Sequence, residues 1–133
     1  MVFVLTFLNS VSFTSRMTSL VVCLGAGKGT WIPVLKLLDA SKWDDIFLVM
    51  PKFFADKYQP SASNIHKIIV DEQKTVEALV GDIAVHFGKL FGDVAVNLYS
   101  GEGIEHMAVL AALMKAGCGI RLVHVHDGRV QEL

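Results

Sequence analysis

Two patterns of apolar residues alternate along the chain. Short runs rich in apolar residues predict buried strands, and they cover residues 20–24, 45–50, 65–70, 93–99 and 120–126. Apolar residues spaced by three and four positions predict helices between these runs, over residues 31–40, 73–91 and 103–116. A shorter helix is expected over residues 52–58, and residues 59–64 are typical of a surface loop.

This alternation predicts the fold class. Strands that alternate with helices form a mostly parallel sheet with helices on both faces, which makes an α/β, Rossmann-like domain. Asp127-Gly128 predicts a tight hairpin turn, so residues 130–133 should add an antiparallel strand at an edge of the sheet. A chain of 133 residues fits one domain, which we expect to span residues 17–133.

Residues 1–16 differ from the rest of the chain. An apolar run over residues 1–8 precedes a stretch rich in Ser and Thr, and no basic residue comes before the run. The run is too short to span a bilayer. It is interpreted either as an extra edge strand or as upstream sequence before a start at Met17, and we favour the second. In both cases we expect a cytoplasmic protein without a membrane partner.

Composition narrows the classes of function. Hydrophobic residues make up 53% of the chain and charged residues 19%, which is typical of a folded domain. The formal net charge of −1 gives no overall attraction to nucleic acid or to an anionic membrane, so any anion site must be local. Cys23 and Cys118 are too few for a disulfide scaffold or a thiolate zinc site.

Two glycine-rich loops are the candidate binding site. One follows the first strand, at residues 25–30, and the other follows the fourth strand, at residues 100–103. In a doubly wound sheet ligands bind beyond the carboxyl ends of the strands, near the switch in strand order. Glycine permits close backbone approach, and a helix N-terminus offers N–H groups to an anion. Either loop could also be a simple tight turn.

The first loop matches no standard nucleotide motif. The phosphate-loop pattern fails because Gly29, and not Ser or Thr, follows Lys28. The dinucleotide pattern fails because Thr30 stands where its last glycine belongs. Lys28 can still provide a point charge for a phosphate. Trp31 either stacks on a base or packs under the loop.

The second loop brings hydroxyl, imidazole and carboxylate groups together. Ser100 can hydrogen-bond a phosphate or ribose, and His106 can act as an acid or a base or lie idle on the helix surface. Glu102 and Glu105 suit the helix dipole as capping acids but oppose a bound phosphate. His124 and His126 share one side of a strand, but no third ligand is evident, so we predict neither a metal nor a cofactor.

Residues 94–110 resemble the CRISPR-associated Rossmann-fold sensors, the CARF domains. In that family a strand ends in a polar residue and is followed by a Ser/Thr-Gly turn and an apolar helix; Ser100, Gly101, Gly103 and Met107 occupy those places. The resemblance extends over residues 20–133, through the first loop and the crossover helix. The chain departs from the family at Glu102 and Glu105, where several members carry Lys or Arg.

The resemblance implies a homodimer that binds a cyclic oligoadenylate where both copies of the two loops meet. It implies ligand contacts at Gly25, Ala26, Gly27, Lys28, Gly29, Thr30, Trp31, Ser100, Gly101, Glu102 and Gly103. Lys28, Ser100 and His106 would serve catalysis if the protein is a ring nuclease, which opens the ligand without a metal. A non-catalytic sensor acting through an effector protein is the other outcome.

Two alternatives remain beside this interpretation. The chain could be the sensory domain of a transcriptional regulator, or an ordinary Rossmann-like nucleotide-binding protein. A dinucleotide ribose normally requires an acidic residue after the second strand, and Met50-Pro51 stand there. That observation argues against a nicotinamide cofactor.

Overall fold

A computed structural model describes residues 18–60 and 62–133. The predicted N-terminal extension, residues 1–16, lies outside the described residues. Neither interpretation of that extension is therefore tested.

The described residues form a six-stranded, mostly parallel sheet in the order β3-β2-β1-β4-β5-β6. The first five strands are parallel and β6 is antiparallel to β5, which confirms the predicted fold class. The strands are β1 (Leu20–Cys23), β2 (Ile46–Pro51), β3 (Ile65–Val70), β4 (Asp93–Asn97), β5 (Gly119–His126) and β6 (Arg129–Glu132). Positive φ at Asp127 and Gly128 forms the predicted hairpin turn before β6.

Four α-helices connect the strands within the described residues: α1 (Trp31–Asp39), α2 (Lys52–Ala55), α3 (Val76–Ala84) and α4 (Gly103–Lys115). Short 3₁₀ turns precede α1 and follow α3. The helices cover both faces of the sheet, because α1 packs on one apolar cluster and α3 and α4 pack on the other. Every residue of β1 and β2 is buried, which explains why both read as continuous apolar runs.

The predicted helix over residues 73–91 is too long at both ends. At its start, the Thr75 hydroxyl accepts a hydrogen bond from Ala78 N–H, so Thr75 is the N-cap of α3. The residues before it form a turn, in which Gln73 N–H donates to Asp71 Oδ1. At its end, the helix tightens into a 3₁₀ turn over Val85–Phe87. The helix predicted over residues 52–58 is also shorter, ending at Ala55.

The strand order places the two glycine-rich loops side by side. β1 and β4 are neighbours, and the chain leaves β1 for β2 on one side but leaves β4 for β5 on the other. This is the topological switch point of the sheet. The helices that follow, α1 and α4, lie on opposite faces of the sheet, and we call the space between the two loops and the starts of these helices the crevice.

Candidate functional site

The two loops touch through their glycines. A Cβ built on Gly25 would lie 2.5 Å from Gly101 Cα and 2.7 Å from Gly101 N, distances that no real side chain tolerates. Gly101 itself has a φ of +97°, which disfavours every other residue type. Both positions therefore require glycine, one because of close approach and the other because of its backbone conformation.

The Ser100 hydroxyl joins the two loops. It accepts a hydrogen bond from Gly25 N–H at 2.9 Å and lies 2.6 Å from the Thr30 hydroxyl. The Thr30 hydroxyl also lies 2.5 Å from Gly27 O, which can only accept. A hydroxyl has one hydrogen, so Thr30 donates to Gly27 O while Ser100 donates to Thr30. Ser100 is only 1% exposed, and this chain of bonds fixes the first loop to the second.

Trp31 holds the first loop from the other side. Its Nε1–H donates to Gly25 O at 2.6 Å, and its ring meets Phe54 edge to face at a centroid distance of 5.5 Å. Of the two roles predicted for Trp31, these contacts support packing against the loop. Base stacking on the half-buried ring remains a prediction.

His106 lies at the second loop and contacts its backbone. The Nε2 atom is 2.8 Å from Ser100 O. A carbonyl oxygen only accepts, so Nε2 carries the hydrogen and donates it, while Nδ1 remains an acceptor in the neutral ring. The side chain is partly exposed. His106 therefore belongs to the site by position, and its role as an acid or a base stays a prediction.

Glu105 is a buried carboxyl beneath the second loop. Its side chain is 4% exposed, and within the described residues its Oε2 has no hydrogen-bond partner. A Cβ built on Gly101 would lie 3.1 Å from Glu105 Oε2 and 3.2 Å from His106 Nε2, so both groups line the underside of the turn. Burial raises the pKa of Glu105 to about 7, with smaller contributions from the negative charges of Glu72 and Glu102.

Glu105 is buried, whereas its place near the start of the helix predicts a capping acid. Glu105 does lie in the first turn of α4, but Ala108, Val109 and Ala112 follow at three-, four- and seven-residue spacing and are all fully buried. This spacing could have shown that Glu105 lies on the inward stripe of the helix. Glu102, in contrast, is an exposed N-cap residue whose side chain makes no capping bond.

The remaining predicted site residues form the exposed rim of the crevice. Ala26, Gly27 and Gly29 on the first loop are exposed, as is Gly103 at the start of α4. Lys28 begins the 3₁₀ turn that leads into α1. Its side chain lies outside the described part of the structure, so the charge assigned to it remains a prediction.

A metal centre is not assembled by the described residues, since no three His, Cys, Asp or Glu side chains lie close enough to hold an ion. The His124 and His126 rings are 6.5 Å apart at their centroids. His126 Nε2 instead lies 3.3 Å from a carboxylate oxygen of Asp127.

Comparisons with known proteins leave the chain without an assigned family. No family model matches it, and no curated protein matches it significantly. Over the described residues, no helix is both long and apolar enough to cross a membrane.

Gly25→Ala tests the contact between the loops. The added methyl group must displace the backbone of Gly101, so we expect the free energy of unfolding to fall by about 1–3 kcal/mol. Gly29→Ala is the matched control, because nothing lies within 4 Å of a Cβ there, and it should change stability little. Urea unfolding measures both variants, and equal stabilities would contradict the close approach.

Glu105→Gln tests the buried carboxyl. The folded-state pKa of about 7 exceeds the ordinary value of 4.5, so the protonated group's contribution is complete below about pH 4.5 and is lost as the pH rises through 7. The wild type should lose up to about 3 kcal/mol over this range from Glu105, at about 1.4 kcal/mol per pKa unit. Urea unfolding from pH 4.5 to 8 should show this loss abolished in Glu105→Gln and retained in Glu77→Gln, an exposed control. Identical pH profiles for the wild type and Glu105→Gln would contradict the assignment.

Proposed function

We propose that the crevice between the two loops binds a cyclic oligoadenylate, in a homodimer that resembles the CARF sensors. The observation that carries the proposal is the contact between the two glycine-rich loops at the switch point, made through Gly25, Ser100 and Gly101. Ligands of doubly wound sheets bind at this position. The resemblance adds the class of ligand.

The phosphates of such a ligand would meet the N-termini of two helices. α1 and α4 both begin at the loops, and the first N–H groups of a helix have no partner within it. The first turn of α1 contains no acidic residue. We therefore place the main phosphate contact at the N-terminus of α1, where Lys28 would add its positive charge.

An exposed apolar stripe on α4 supports the dimer. Ile104, Met107 and Met114 are 49%, 63% and 65% exposed, and their spacing puts them on one side of the helix. The stripe begins one residue after Gly103, at the crevice. Two copies that pair through this stripe would bring both crevices toward one two-fold axis, which suits a ligand with two-fold symmetry.

Cleavage would use the ligand's own 2′-hydroxyl. Its oxygen attacks the adjacent phosphorus, the bond to the 5′-oxygen breaks, and that oxygen takes a proton from water. The product is linear, with a 5′-hydroxyl at one end and a 2′,3′-cyclic phosphate at the other. His106 would accept the hydroxyl proton through Nδ1, and Lys28 would stabilise the charge on the phosphate. Ser100 would hold the loops in position. A protein that binds without cleaving would be a sensor that acts on an effector protein.

Incubation with cyclic tetra-adenylate and cyclic hexa-adenylate tests binding and cleavage together. We expect at least one to bind, and Lys28→Ala should weaken binding about tenfold or more, because a charge-assisted hydrogen bond contributes about 1.5–3 kcal/mol. Isothermal titration calorimetry measures the affinity, and chromatography of the same samples detects linear products.

Lys36→Ala is the control for Lys28, since Lys36 is an exposed cation in the last turn of α1, at the end of the helix away from the two loops. The affinity of Lys36→Ala for the cyclic oligoadenylate should match that of the wild type. Failure of both rings to bind to folded protein would reject the cyclic oligoadenylate. Binding of ATP or a nicotinamide cofactor instead would favour the ordinary nucleotide-binding alternative.

Met107→Glu tests the dimer. A charge in the centre of the apolar stripe should prevent pairing, so we expect a dimeric wild type and a monomeric variant in analytical ultracentrifugation. Val85→Glu is the control, because Val85 is 77% exposed on the 3₁₀ turn after α3 and lies outside the stripe. A monomeric wild type, or a Val85→Glu variant that dissociates equally, would contradict this interface.

A further inference from the structure

We infer that Glu105 takes up a proton when the crevice binds a phosphate ligand, so that this buried carboxyl controls the affinity of the site and its dependence on pH. The inference rests on the proposed anionic ligand. It goes beyond the proposed function because it assigns a role to a buried residue. Glu105 would act as a positioning residue through the turn at Ser100 and Gly101.

The geometry that carries this inference is the position of Glu105 directly under the ligand loop. Its Oε2 lies 3.1 Å from the site of a Gly101 Cβ, and the Cys23 and His106 side chains close the same space. Oε2 is buried without a hydrogen-bond partner among the described residues. An ionised carboxylate in such a place loses its hydration without compensation, whereas a protonated carboxyl loses far less.

The titratable groups around Glu105 are two carboxyls, one imidazole and one thiol, and only the two carboxyls raise its pKa by their charge. Glu102 and His106 belong to the same helix as Glu105. Glu72 lies on the loop between β3 and α3, and Cys23 lies on β1. Burial, followed by the Glu105 carboxylate, raises the pKa of the Cys23 thiol far above its usual range, so Cys23 contributes no charge near neutral pH. Glu72 and Glu102 are negative and disfavour ionisation of Glu105.

A phosphate bound in the crevice would add a further negative charge beside the Ser100–Gly101 turn. The pKa of Glu105 is already about 7 without ligand, so the added charge moves it above neutrality and the group binds a proton. By linkage, affinity is constant below about pH 7, falls as the pH rises from there to the higher pKa of the bound state, and is constant again above that pKa. The limit for one linked proton is about tenfold per pH unit.

Calorimetric titration at pH 6, 7, 8 and 9 measures this coupling. The probe is cyclic tetra-adenylate, or its 2′-fluoro analogue if the protein cleaves the natural ring, because phosphodiesters keep a constant charge over this range. We expect affinity to fall several-fold per unit above pH 7. Repeating the titrations in two buffers of different ionisation enthalpy should show uptake of up to one proton.

Two variants separate Glu105 from its neighbour. We expect the affinity of Glu105→Gln for the ligand to stay constant above pH 7, and its binding to take up no proton. If Glu105 had only a structural role, the substitution would change the affinity by the same factor at every pH. His106→Asn should retain both signals, which assigns them to Glu105 and not to the imidazole. Binding that is independent of pH in the wild type, or a pH dependence that persists in Glu105→Gln, would overturn the inference.

A measurement that needs no cyclic oligoadenylate distinguishes failure of the proposed function from failure of this inference. If neither cyclic oligoadenylate binds, the carboxyl carbon of Glu105 is followed by NMR, with Glu105→Gln to assign the resonance and inorganic phosphate as the probe. A titration midpoint near 7 that rises with phosphate would support the coupling at this site. A midpoint near 4.5, or one that phosphate does not move, would overturn it.

Discussion

The contact between Gly25 and Gly101 is the constraint on which the rest of the site depends. The order of the sheet makes β1 and β4 neighbours, so their loops must pass each other where the strands end. Because a Cβ on Gly25 would meet the Gly101 backbone, the loops approach more closely than side chains allow. This closeness lets one hydroxyl, that of Ser100, bond to Gly25 N–H and to Thr30 at once. These contacts therefore set the position of the two loops relative to each other.

The same closeness accounts for the burial of Glu105. α4 starts immediately after the second loop, so the first inward position of the helix lies under the turn and not at the edge of the protein. A hydrophobic residue there would continue the buried stripe and avoid an unpaired polar atom. A carboxyl at this position lowers stability near neutral pH. Titratable groups held in such environments are concentrated at functional sites, which is why Glu105 supports a function for this crevice.

The sequence predicted the centre of the sheet well because β1 and β2 are buried along their whole length and form continuous apolar runs. β3 begins and ends where the apolar pattern predicts, at Ile65 and Val70. The helix over residues 73–91 was predicted too long because apolar spacing does not show where a side-chain cap begins a helix. The Thr75 hydroxyl is that cap, and it sets the start of α3. Glycine content identified both loops. The Ser100 bonds and the isolation of Glu105 Oε2 depend on partners distant in sequence, so composition and spacing could not reveal them.

The two loops differ in charge, and this difference decides where an anion can bind. The first turn of α1 contains no acidic residue, while α4 carries Glu102 at its N-cap and Glu105 inside its first turn. A phosphate held equally by both helices would lie beside two carboxylates if Glu105 were ionised. Protonation of Glu105 removes one of those charges, and the exposed Glu102 is screened by solvent. With the proposed anionic ligand, the second loop would therefore share in binding most favourably when Glu105 is protonated, which would make the carboxyl beneath it part of the binding equilibrium.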